Sequence, residues 1–304
     1  MEWFYFALLS AILFGTTTII DKFNLSKGRF IKFPSSYITL FTSIIFVAVA
    51  LISMFTGVQF ILPHSLIGIC MGFFWLAAIH YYGKAVTKGE ISRVVSLIFV
   101  YPIVVVALSF LFLGEILSIF QYAGVILLVI SALLVSYKKI KGKASLEPII
   151  KFLVPVAIIW AVLSVMEKYL LFGIDYMSLL FWLLAGGFIG NLYSLIIFPN
   201  YMKSFAKFLK LANRKIPLIV FNGFISAGAY IALFLAISKG PVSLVSAVAS
   251  LEPFFVFLIT IFISIYFPTI FKEEINKSTV LSKILATVLI VMGTFLVTNA
   301  NLFS

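Results

Sequence analysis

The sequence predicts an all-α integral membrane protein of ten transmembrane helices, arranged as two inverted five-helix repeats. Three observations predict it. Of 304 residues, 63% are hydrophobic and only 11% charged, with a mean hydropathy of +1.21, whereas soluble domains run near a quarter charged. Ten apolar stretches follow one another, each near the ~20 residues a helix needs to cross a hydrocarbon core about 30 Å thick. The second half of the chain also repeats the first.

The opening MEWFYFALLSAILFG has no basic n-region, so it reads as a first span, Trp3–Ile20, and not as a cleaved signal. The further stretches are Ser35–Thr56, Leu66–Ala85, Val94–Leu113, Ser118–Tyr137, Ile149–Leu171, Met177–Phe198, Pro217–Ser238, Val242–Phe267 and Leu281–Thr298. Most connections are short. The longer ones, Asp21–Pro34, Lys138–Glu147, Pro199–Ile216 and Pro268–Lys283, are lysine-rich, and none could fold as a separate soluble domain. The odd-numbered connections and their flanking helix ends hold 20 of the 22 Lys and Arg residues, leaving Lys168 and Lys239 opposite. Cations stay on the cytoplasmic side, so these connections are expected in the cytoplasm of a multi-pass cell-membrane protein, with both termini outside. The net charge of +12 thus marks loops and not a nucleic-acid surface.

Sliding the chain by 151 residues lays GFFWLAAIHYYGKAVTKGEISRVVSLIFVYPIVV, from Gly72, on GFISAGAYIALFLAISKGPVSLVSAVASLEPFFV, from Gly223, with ten of 34 positions identical. Gly72/Gly223, Lys88/Lys239, Gly89/Gly240, Ser92/Ser243 and Pro102/Pro253 are among them, and apolar composition does not supply such types freely. A shift of 162 aligns Leu127, Val129, Leu134 and Val135 with Leu289, Val291, Leu296 and Val297; a shift of 146 sets Asp21-Lys22 on Glu167-Lys168. The halves divide as residues 1–141 and 142–304. Five spans is an odd number, so the second half enters the membrane upside down. Inverted repeats mark transporters that alternate access around a midplane site; a duplication that merely enlarged a bundle is the alternative.

The blocks AVTKGEISRVVSLIFVYPIVVVALSFLFLGE and AISKGPVSLVSAVASLEPFFVFLITIFIS resemble the paired repeats of the drug/metabolite transporter superfamily, in particular its EamA-like ten-span members. Gly114-Glu115 fits the Gly-Glu that ends the fourth helix there, and Leu251-Glu252-Pro253 matches the usual form of the second half. Glu273-Glu274 lies several residues later than the second half's corresponding ending. The resemblance implies a helical-bundle carrier of a small metabolite, more often an exporter than an importer. It also implies a central cavity lined by the first, third, fourth, sixth, eighth and ninth spans. Family members handle amino acids, nucleotide sugars, amphiphilic drugs and lipid-linked sugars, and often keep their termini in the cytoplasm, unlike the arrangement the charges give here.

Glu252 is the one charged residue between Lys239 and Lys272. Ten residues into its span, it lies roughly 15 Å deep, where an acidic side chain costs roughly 2.5–3.5 kcal/mol to insert. It therefore avoids lipid, either held protonated or facing a polar cavity. Pro253 leaves the Ala249 carbonyl without its helical donor. Glu252 reads as a proton-coupling or substrate-amine site, or as a neutral acid locking a kinked helix. Its repeat counterpart is Tyr101, also just before a proline.

In the third span His80, Tyr81 and Tyr82 follow Trp75. His80 reads as a relay or ligand, or as an interfacial residue near Lys84; the tyrosines fit an interfacial belt equally well. Trp160, Asn222 and Tyr230 lie deeper, and the amide also suits helix packing. The candidate substrate site is His80, Tyr81, Tyr101, Trp160, Asn222, Tyr230 and Glu252. Asp21-Lys22 and Glu167-Lys168 end their spans on opposite membrane faces and read as gating pairs or as snorkelling charges. Gly68 and Gly72, and the Gly186, Gly187 and Gly190 cluster beside Asn191, read as packing faces.

Cys70 is the single cysteine, so neither a disulfide nor a cysteine metal site is expected. No GxxxxGK[ST], HExxH or GxSxG occurs. No catalytic residue, metal or cofactor is expected. The partners expected are a small-molecule substrate and the bilayer, not nucleic acid, for a monomer or homodimer. A membrane enzyme acting on a lipid or peptide, and a passive channel or packing subunit, are the other readings.

Overall fold

An apolar run in lipid can satisfy its backbone only by bonding to itself as a helix. The computed structural model describes residues 2–26, 34–88, 98, 101–136, 147–266 and 277–299, and every regular element among them is helical. In chain order these are α1 (Glu2–Ser26), α2 (Pro34–Thr56), α3 (His64–Lys88), α4 (Tyr101–Leu113), α5 (Ile119–Ser136) and α6 (Glu147–Leu170). There follow α7 (Tyr176–Ile197), α8 (Pro199–Ala212), α9 (Ile216–Lys239), α10 (Val242–Ala249), α11 (Glu252–Tyr266) and α12 (Lys277–Thr298). Seven stretches are long and apolar enough to cross a membrane, with α10 and α11 together as one of them; α4, α5 and α12 are apolar but shorter within the described residues. The protein is a multi-pass membrane protein. Gly89, Ser92, Val94 and the Glu273-Glu274 pair lie outside the described residues.

Two elements differ from expectation. The lysine-rich Pro199–Ile216 connection contains α8, which buries Phe208 and Ala212 against Tyr37, Ile38 and Ile219. Lys203, Lys207 and Lys210 stay exposed. This amphipathic pattern carries a helix that a search for long apolar runs passes over. The ninth stretch is not continuous. Pro253 cannot donate to the Ala249 carbonyl, and the chain tightens through Ser250 and Leu251. There Leu251 N–H reaches Val248 O at 3.0 Å, and Phe254 N–H reaches Leu251 O at 2.9 Å. A new helix then begins at Glu252. The repeat position Tyr101 is the first described residue of α4.

Between helices in lipid, close van der Waals packing replaces the hydrophobic drive. The glycine faces read separately from the sequence meet one another. A Cβ on Gly72 of α3 would lie 2.0 Å from the Leu183 carbonyl oxygen of α7, and one on Gly186 would lie 2.0 Å from that of Ile69. Gly124 of α5 and Gly293 of α12 meet in the same backbone-to-backbone way, at 2.9 and 3.0 Å from each other's carbonyl oxygens. On Gly223, the repeat partner of Gly72, a Cβ would strike Ile44 of α2 at 2.4 Å.

One end of the bundle is fastened by ionic caps. Glu115, presented after Gly114 at a left-handed φ of 66°, accepts from Val242 N–H at 2.8 Å and Ser243 N–H at 3.2 Å. It also accepts from the Ser243 hydroxyl at 2.7 Å. A carboxylate at the exposed N–H groups of α10 completes that helix start. Lys168, expected to snorkel, instead donates to the Ile237 and Gly240 carbonyls at 2.8 and 2.9 Å, closing the end of α9. Trp3 packs on Gly240 and Glu2 pairs with Lys239 at the same end. Glu115→Ala removes three charge-assisted bonds and is expected to cost about 2 kcal/mol. The check is the thermal unfolding midpoint in detergent, with Glu115→Gln falling between wild type and alanine.

Candidate functional site

A cavity of about 230 Å³ lies inside the bundle. Its walls come from α1, α2, α3, α4, α6, α9 and the α10–α11 junction, together with Ile98. These include the six spans the resemblance implies, with α2 added. α1 contributes Phe14, Thr17, Thr18 and Asp21, at i, i+3, i+4 and i+7, which is one helix face. α6 contributes Trp160, Leu163, Ser164 and Glu167 at the same spacing. α3 gives Trp75, Ile79, Tyr82 and Gly83, and α9 gives Ser226, Tyr230, Leu233 and Phe234.

The two halves use the same positions. The α1 set falls on the α6 set under the shift of 146. The α3 set falls on the α9 set, and Ile98 and Tyr101 fall on Ala249 and Glu252, under the shift of 151. Twenty of the 23 lining residues pair in this way. The other three, Tyr37, Ile38 and Phe41, are from α2 and lie toward Asp21.

Glu252 lines the cavity and accepts a 2.6 Å hydrogen bond from the Thr18 hydroxyl, which joins α1 to α11. Tyr101 and Trp160 also line it, with ring centroids 6.4 Å apart and edge-on; Tyr82 lies 6.1 Å from Trp160. Tyr230 accepts from Trp75 Nε1 at 3.1 Å, and Phe14 lies edge-on to it at 5.0 Å. Four of the seven sequence candidates therefore share one cavity.

The other three do not line it. Asn222 is buried behind the wall and donates through Nδ2 to Asp21 Oδ1 at 2.6 Å. His80 is half-buried, its Nδ1 at 2.9 Å from the Leu76 carbonyl one turn back on its own helix. Tyr81 is exposed, beneath the Lys84 ammonium at 5.5 Å and near Phe152. Neighbours in sequence along α3 point to different faces, so Tyr82 turns inward while His80 and Tyr81 do not.

Two carboxyls read as span-end charges belong to the cavity instead. α1 runs to Ser26, so Asp21 lies inside the helix, where its Oδ1 also accepts from the Tyr37 hydroxyl. Glu167 is 7% exposed and lines the wall, and its carboxyl has no hydrogen-bond partner among the described residues. The signal for both was the i, i+3, i+4, i+7 polar face. No group of three metal-binding side chains occurs among the described residues.

A bundle of apolar helices around a polar, ring-lined cavity defines a polytopic membrane protein with an internal binding space. Residues 1–137 match the model of the EamA-like transporter family, the family whose paired repeats the sequence blocks resemble. That family consists of transporters. A solved structure described only as a crystal structure of a protein is 15% identical and aligns over 97% of this chain and 96% of its own, with a TM-score of 0.68. That likeness shows a shared fold across both halves. Comparison with curated proteins gave no match.

Proposed function

We propose that the protein is a secondary carrier whose halves, residues 1–141 and 142–304, form ten spans as inverted five-helix repeats. The halves rock about the cavity so that it opens to each side in turn. The carrier moves a small amphiphilic or amino-acid-like compound, in the direction of efflux, across the cell membrane, and Glu252 couples that movement to protons. The basic connections face the cytoplasm, and the chain works as a monomer or homodimer. The observation that carries this reading is the repeat-paired lining of the cavity. A duplication that only enlarged a bundle has no reason to keep both copies of each wall position turned toward one space. The asymmetry fits one state of such a cycle: α2 joins the wall toward Asp21, whereas α7 contributes no lining residue.

Purified protein in liposomes tests the reading, using the compound whose level differs most between cells with and without the protein. Preloaded compound is expected to accelerate saturable uptake of its labelled form. A linear leak without stimulation would identify a passive channel. Trp160→Ala and Tyr101→Ala, which strip rings from the cavity, are each expected to raise the half-saturation concentration about tenfold, in line with a lost aromatic contact of about 1.4 kcal/mol. Unchanged half-saturation in both variants would remove these rings from the substrate site.

A further inference from the structure

The charges of the cavity say more about its cargo than its volume does. The chain holds 22 Lys and Arg against 10 Asp and Glu, yet three of those ten acids, Asp21, Glu167 and Glu252, line this one space. No Lys, Arg or His occurs among the described residues that line it. In a basic protein that is a strong local reversal of sign. Burial of several carboxyl groups without a cationic partner is unfavourable, so a site that keeps them is built for something positive.

The three carboxyls are not equally occupied. Asp21 is held by Tyr37 and Asn222, and Glu252 by Thr18. Glu167 faces the space with its oxygens unclaimed by any described residue. Two turns back along the same face of α6 stands Trp160, between the Tyr82 and Tyr101 rings, and nine of the 23 lining residues are aromatic. Ring faces attract cations and also accept apolar bodies. A bare metal ion would call for converging oxygens, and no such group of ligands is present among the described residues.

We infer that the cargo is an organic cation with an apolar or aromatic body, its positive centre drawn to Glu167 and its body packed against Trp160. This rests on the carrier reading and narrows it to one class of substrate. Neutral and anionic metabolites are disfavoured by the same wall.

Phenyltrimethylammonium and benzenesulfonate, similar in size and opposite in charge, are suitable probes. Their binding to the full chain in detergent is followed by tryptophan fluorescence, since Trp75 and Trp160 both line the cavity. The cation is expected to bind at least tenfold more tightly, equivalent to about 1.4 kcal/mol. Glu167→Gln, which breaks no hydrogen bond among the described residues, is expected to weaken the cation at least fivefold without weakening the anion. Equal or tighter binding of benzenesulfonate, no saturable binding of the cation, or an unchanged preference in Glu167→Gln would overturn the inference. Counterflow of labelled phenyltrimethylammonium in liposomes separates the two layers. Tight cation binding without counterflow would sink the carrier and keep the site. Counterflow of benzenesulfonate in preference to the cation would keep the carrier and sink the cation.

Discussion

Gly72→Val is expected to leave little folded protein. The added Cβ would sit 2.0 Å from Leu183 O, 2.7 Å from Gly187 N and 2.9 Å from Gly186 Cα. All three are backbone atoms, so no rotamer change relieves the clash and α3 must move away from α7. Overpacking where side chains can adjust costs about 1–3 kcal/mol. Where two backbones must separate, the loss also includes the packing along both helices, which in lipid is the main source of association. A cost of about 4 kcal/mol or more is expected, a large share of a domain's total stability. Gly228→Ala is the matched control, because its Cβ would meet only Leu13 Cδ1, at 3.7 Å. Size-exclusion profiles and unfolding midpoints in detergent check the pair. A monodisperse Gly72→Val protein with a wild-type midpoint would refute the account of the α3–α7 contact.

The same contact shows what the sequence conveys and where it stops. Gly68 and Gly72, and Gly186, Gly187 and Gly190, were visible as two small-residue faces because helical spacing is a local property. That they are each other's partners is tertiary information. Likewise the shift of 151 set Tyr101 opposite Glu252, and both line the cavity. Asp21 was misplaced for a physical reason: an apolar stretch ends at its first charge, but a helix does not, and α1 continues to Ser26. Glu167 fell within its predicted span, and what the local sequence did not show is that its face of α6 turns into the cavity. His80 and Tyr81 were drawn in by adjacency to Tyr82, although successive helical residues point about 100° apart. The inward face of α2 had no signal, since Tyr37, Ile38 and Phe41 have no paired lining position in the second half.

Glu252→Gln is expected to abolish proton-driven accumulation while leaving exchange intact. Glutamine keeps the size of the side chain and an amide oxygen that still accepts from Thr18, so the α1–α11 contact and the helix start before Pro253 survive. What it loses is the ability to take up and release a proton. In liposomes carrying a pH gradient, the variant should accumulate substrate no further than passive equilibration, at least tenfold below wild type, with counterflow within about threefold of wild type. That split separates coupling from binding, because loss of folding or of the site would lower both rates together. The position in the wall supports the assignment: Glu252 interrupts the ninth stretch where α10 gives way to α11, and it is bonded to α1 of the other half. A proton there neutralises a group shared by both halves, so its arrival and departure can bias their relative position. Gradient-driven accumulation that persists in Glu252→Gln would move the coupling role to Asp21 or Glu167. Asn and Gln at those two positions would then be the variants that decide it.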